Sequence, residues 1–157
     1  MPNVLLKVFM GLAVTSIVLF GADNWSGTWK QNFAKSEQTP PLKNPYKSSI
    51  LIWESSDGGT KGTGTSEGQD GTTHNWGWTA KSGKEYAVAF TGLPWDTGSG
   101  KQVDANTRTF EIWKTGGKFR ATGRWVLSED GKTLTSTYRG VDGQGQPFSV
   151  KAVFEKQ

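Results

Sequence analysis

The chain has no cysteine, a single histidine and only 34% hydrophobic residues among 157. Without cysteine there is neither a disulfide framework nor a thiolate metal site. A lipidated anchor is excluded as well, because no Cys follows the apolar N-terminal run. His74 lacks the company of a catalytic triad. No nucleophile-elbow Gly-X-Ser-X-Gly follows a strand, and Gly98-Ser99-Gly100 reads as a flexible turn. The aspartates Asp57, Asp70, Asp96, Asp104, Asp130 and Asp142 fall in turns, where Asp usually serves structure, so no metal site is expected. Glu111 lies on an outward alternation and leaves a glycosidase-type carboxylate pair without its second member. The formal charge is +4, or about +3 without Lys7, and the basic residues are scattered. Nucleic acid is therefore not an expected partner. Enzyme activity and a cofactor are not expected either.

What the chain does have is 21 Gly and eight Trp, a turn-rich composition that concentrates its apolar content in large rings. The length predicts one domain. Residues 1–22 differ from the rest: Lys7 precedes an uncharged run from Val8 to Phe20 that suits a signal-peptide core. The run is short for a bilayer span. An uncleaved anchor is the alternative. Cleavage after Gly21 or Ala22 would leave an exported, secreted or periplasmic domain over residues 23–157.

Asn24-Trp25-Ser26-Gly27-Thr28-Trp29-Lys30 opens that domain. A spacing of two puts Trp25, Gly27 and Trp29 on one face of an extended strand. The glycine allows a sharp bend, with the indole packed across the end of a closed sheet. Residues 34–46 carry three prolines and read as an extended surface loop. Ser48–Glu54 is a strand with apolar residues on both faces. Residues 58–71, rich in Gly and Thr, read as either a flexible edge hairpin or a mobile rim. His74, Trp76, Trp78 and Ala80 then share one face, and Tyr86, Val88 and Phe90 form the next inward set.

Thr91–Gly100 reads as a loop with Trp95 in solvent. Phe110 and Ile112 alternate up to Trp113, and Gly116-Gly117 turns the chain. Phe119, Ala121, Gly123, Trp125 and Leu127 share a face opposite Lys118, Arg120, Thr122 and Arg124. Leu134, Ser136 and Tyr138 follow Asp130-Gly131, and Phe148, Val150, Ala152 and Phe154 follow the turn at Asp142-Gly143-Gln144-Gly145. The expected fold is all-β: one antiparallel up-and-down barrel of eight to ten strands. A sandwich fits less well, since little suggests long crossing connections.

Gly27-Thr28-Trp29-Lys30, with Asn32 and Ala34-Lys35-Ser36, resembles the opening of small exported bacterial lipocalin-like proteins. So do Ala121-Thr122-Gly123-Arg124, Ser128–Thr135, Gly145-Gln146-Pro147 and Phe154-Glu155-Lys156-Gln157. The resemblance implies a calycin-type barrel, related in pattern to fatty-acid-binding proteins and avidins. The chain departs from those groups in places. It has Lys151-Ala152-Val153 where fatty-acid-binding proteins carry Arg-X-Tyr, and it lacks the lipocalin Thr-Asp-Tyr turn.

Two non-catalytic functions follow. In the first, the barrel interior holds a small hydrophobic or aromatic molecule against Trp76, Trp78, Tyr86, Phe110, Gly123, Trp125 and Tyr138, with Gly27 and Trp29 closing the barrel. In the second, Trp53, Trp95 and Trp113 lie outward or in loops and recognise a carbohydrate or a protein. Rings that simply fill the barrel are the structural alternative to the first. The location of the indoles discriminates.

Overall fold

A computed structural model describes residues 23–157. The leader read over residues 1–22 lies outside the described residues. Eleven strands follow in order: β1 (Gly27–Gln31), β2 (Glu37–Thr39), β3 (Tyr46–Ser56), β4 (Gly59–Gly68), β5 (Thr73–Lys81) and β6 (Glu85–Thr91). They continue with β7 (Thr97–Gln102), β8 (Thr107–Trp113), β9 (Arg120–Leu127), β10 (Thr133–Val141) and β11 (Pro147–Lys156).

From β3 to β11 each strand pairs antiparallel with the next, and β11 returns to β1, which also pairs with β3. Ten strands thus close an antiparallel meander barrel, as the sequence predicts. The eleventh, β2, lies along Ser149–Lys151 of β11 and is not paired with β3. A short 3-10 turn at Phe33–Lys35 separates β1 from β2, held by the Asn32 side chain accepting from the Lys35 amide. Because β1 pairs with β3 only over Ile50–Trp53, the wall is split beside Tyr46–Ser49.

The short hairpins have local causes. At Ser128–Lys132 the Asp130 carboxylate accepts from the Ser128 hydroxyl at 2.6 Å and the Lys132 amide at 3.0 Å. Gly131 then takes φ +68°, a left-handed turn that a side chain would strain.

Three expectations are corrected, two of them in the middle of the chain. Residues 58–71 are neither a loose rim nor an edge: β4 is a ten-residue strand paired along its length with both β3 and β5. Its inward glycines explain why. Gly62 stands opposite Trp78 and Gly64 opposite Trp76, and a Cβ at either glycine would overlap the facing indole. The strand supplies the floor on which two rings lie, and such ring-over-glycine pairs also pin register. Gly100 and Tyr86 repeat the arrangement between β7 and β6. Residues 97–100, read as loop, accordingly belong to β7. Trp25 precedes β1 in a turn instead of sharing its strand, yet it packs in the same buried cluster as Trp29.

Candidate functional site

The barrel has one sealed end. Trp25, Trp29, Leu51, Trp53, Leu127, Leu134 and Phe154 form a buried cluster there. Trp29 is fully buried and its indole N–H donates to the Trp25 carbonyl at 2.9 Å. The Trp25 indole N–H donates in turn to the Ala105 carbonyl at 3.0 Å, tying the chain entry to the β7–β8 turn. The Lys156 ammonium sits 5.0 Å from the Trp29 ring centre and bonds the Asn24 carbonyl. Cation, ring and capped donor together fasten β1 to β11, the seam that closes the barrel.

Above this floor is an open cavity of about 870 Å³, within the range typical of small-molecule sites. Its walls include Trp76, Trp78, Tyr86, Phe110, Trp125 and Tyr138, six of the residues assigned inward from alternation. Gly123 is different. A side chain there would overlap the Thr137 carbonyl and the Tyr138 and Phe110 side chains, so Gly123 supports those two rings from the wall and does not line the cavity. Gly27, at the start of β1, lies next to Lys156, whose side chain occupies the space a Cβ would need.

Trp53 and Trp95 overturn the outward assignment. Trp53 is 3% exposed and faces inward, with ring centres 5.2, 4.6 and 5.8 Å from Trp25, Trp78 and Trp125. The strand has apolar residues of both parities, and it is Ile52 that turns out, 43% exposed. Trp95, expected in solvent, stacks on Phe119 at 4.8 Å and meets Phe90 and Tyr138 edge-on. Only Trp113 of the three stands on the outer face, one residue past the buried Ile112 and opposite Arg120 of β9. The other seven tryptophans pack into the two interior clusters.

The polar groups of the interior are few and placed. Ser49 and Ser66 share a hydrogen bond at 2.9 Å, and the Trp76 indole N–H donates to Ser66 at 3.0 Å. Burial pushes the Tyr138 phenol up to about 12. The ring keeps some accessible surface and borders the cavity. Burial also raises Tyr86, and the neighbouring Arg108 guanidinium offsets part of that rise.

Arg108 is the residue the sequence reading missed. It projects inward from β8 over the sealed end, with its guanidinium carbon 4.5 Å from the Trp25 ring centre and 5.3 Å from Trp53. The signal was present: counting back two positions from Phe110 puts Arg108 on the inward face. Its charge argued against following the alternation one step further.

The mouth lies at the opposite end, among Phe33, Pro41, Leu42, Pro45, Leu93 and Pro94. Phe33 and Leu42 are among the exposed large hydrophobic residues. Trp95 is held near this rim by Asp96. The Asp96 carboxylate accepts from Lys114 Nζ at 2.7 Å and from the Thr115 amide and hydroxyl at 2.9 Å. The Lys114 bond, then the Thr115 amide, holds this carboxyl far below the usual carboxylate range. A depressed folded value means stability that is present above the ordinary carboxylate range and lost as pH falls through the folded value. Asp96→Asn is therefore expected to lower Tm at neutral pH, and the gap from wild type should narrow steadily on acidification. A gap constant from pH 7 to pH 2 in thermal melts would rule out this linkage.

His74, the one histidine, places Nε2 2.6 Å from the Gly92 carbonyl and so joins β5 to the same rim loop. Among the described residues no group of three or more His, Cys, Asp or Glu is placed to hold a metal. No helix among them is long and apolar enough to cross a membrane.

No family model matches the chain. No curated protein matches it either. A solved structure of EF1p2_mFAP2b bound to DFHBI is similar at 12% identity with a TM-score of 0.43, covering 87% of this chain and 96% of that one.

Proposed function

We propose that this is an exported, non-catalytic binding protein of the lipocalin-like, calycin type, holding a small hydrophobic or aromatic molecule inside its barrel. The observation that carries this reading is the direction of the indoles. A barrel whose rings only filled it would leave no void of 870 Å³. Here the rings lie flat against wall glycines, so Trp76, Trp78 and Tyr86 line the space without closing it. Aromatic walls bearing a few fixed polar groups suit a ligand with an apolar body. The uncharged run before residue 23 supports export. Carbohydrate or protein recognition by an outer row of Trp loses its motivation, because Trp53 and Trp95 turn inward.

The test uses a neutral aromatic probe, N-phenyl-1-naphthylamine, titrated into the protein while tryptophan emission is followed. Saturable quenching at one probe per chain is expected. Ala152→Trp, which places a ring in the cavity, should abolish binding while leaving a cooperative melt. Absence of saturation in the wild type, or full binding by a folded Ala152→Trp variant, would remove the interior as the site.

A further inference from the structure

We infer that Arg108 anchors an acidic group on the ligand, which makes the ligand class an amphipathic carboxylate with its acid end down and its apolar body toward the mouth. This rests on the binding role proposed for the cavity and adds the chemistry of its deep end.

Arg108 carries a charge that no carboxylate binds directly: its side chain hydrogen-bonds the Tyr86 phenol, and Asp23 reaches it only through its field. None of the four ion pairs among the described residues includes Arg108. Glu37 and Lys151 also border the cavity, but they are exposed and face each other across the β2–β11 pairing. Asp23 is the acid whose field reaches Arg108, and its carboxylate already accepts from the Ser26 hydroxyl at 2.8 Å and the Trp25 amide at 3.1 Å. A guanidinium held in an apolar interior without a carboxylate is costly.

Stacking on Trp25 and Trp53 does not use up its bonding capacity. Ring contacts engage the faces of a guanidinium, whereas its five N–H groups project from the edge. Arg108 Nε has no hydrogen-bond partner, and neither does Nε1 of Trp53, the ring beneath it. Trp95 Nε1 is the third buried group of this kind among the described residues. All three are donors. These three atoms are closed off by packing, so it is the terminal nitrogens of Arg108, on the wall of the cavity, that a ligand can meet. A carboxylate supplies planar acceptor oxygens matched to the guanidinium fork.

The experiment compares 4-phenylbenzoate with 4-phenylbenzyl alcohol as competitors of N-phenyl-1-naphthylamine at neutral pH. The two share a biphenyl body and differ in charge at the end. Wild-type protein is expected to prefer the acid at least tenfold. Arg108→Met should bring the acid down to the affinity of the alcohol while the alcohol stays within about threefold, and Arg108→Lys should retain part of the preference. Equal affinities in the wild type overturn the anchor without any variant, even if Arg108→Met does not fold. A preference that survives Arg108→Met overturns it too. If the neutral probe saturates but the acid gains nothing, only the anchor fails; if no apolar compound binds, the cavity reading fails and the anchor with it.

Discussion

Trp29→Ala is expected to lower the free energy of unfolding by about 3–5 kcal/mol, the range for deleting a large ring from a packed core. That is a large part of the 5–15 kcal/mol by which domains are typically stable. Three contributions coincide at this residue. The fully buried ring loses its packing against the sealed end. The Trp25 carbonyl loses the buried indole donor it accepts from at 2.9 Å. Lys156 loses the ring face beneath its ammonium at the point where β1 pairs with β11. This is the seam of the barrel, so the loss weakens closure as well as packing. Trp76→Ala should cost less, because that ring borders a space already open on one side. Urea unfolding followed by far-UV circular dichroism orders the two variants. A Trp29→Ala protein within about 1 kcal/mol of wild type would mean the seam does not depend on this ring.

The strands with strict alternation were legible as they stand: Trp76 and Trp78, Tyr86 to Phe90, Ala121 to Leu127 and Ser136 to Tyr138 all face where their period puts them. Reading failed where the packing partner is remote. β4 has an inward face of glycine and serine, which carries no hydrophobic period because the volume facing it belongs to indoles on β5. β7 was lost for the same reason, with Gly98 and Gly100 under Phe90 and Tyr86. Trp53 was misplaced because Ile50, Leu51, Ile52 and Trp53 offer two equally apolar faces, and parity was decided by closure against β1. Trp95 lies in no strand. Its position follows from the Asp96 bonds to Lys114 and Thr115, a tertiary lock with no local signature.

The ring-over-glycine arrangement leads to the other large expected effect, at Gly64. A Val side chain here would occupy the place of the Trp76 indole, so the ring must leave the β4 wall and enter the cavity. Overpacking of this kind costs about 1–3 kcal/mol. Moving the indole also breaks its 3.0 Å bond to Ser66, leaving the donor unpaired and Ser49–Ser66 as a buried pair without it; losing a buried partner adds about 1–3 kcal/mol. Gly64→Val is thus expected to destabilise by about 2–6 kcal/mol. It should also weaken N-phenyl-1-naphthylamine binding more than tenfold, because the displaced ring takes ligand volume. Gly143→Ala is the control: nothing lies within 4 Å of a Cβ at that turn position, and a change within about 0.5 kcal/mol is expected. Near-UV circular dichroism should register the moved indole in Gly64→Val alone. If Gly64→Val matched Gly143→Ala in stability and still bound the probe at wild-type strength, β4 would not be the floor that holds the cavity open.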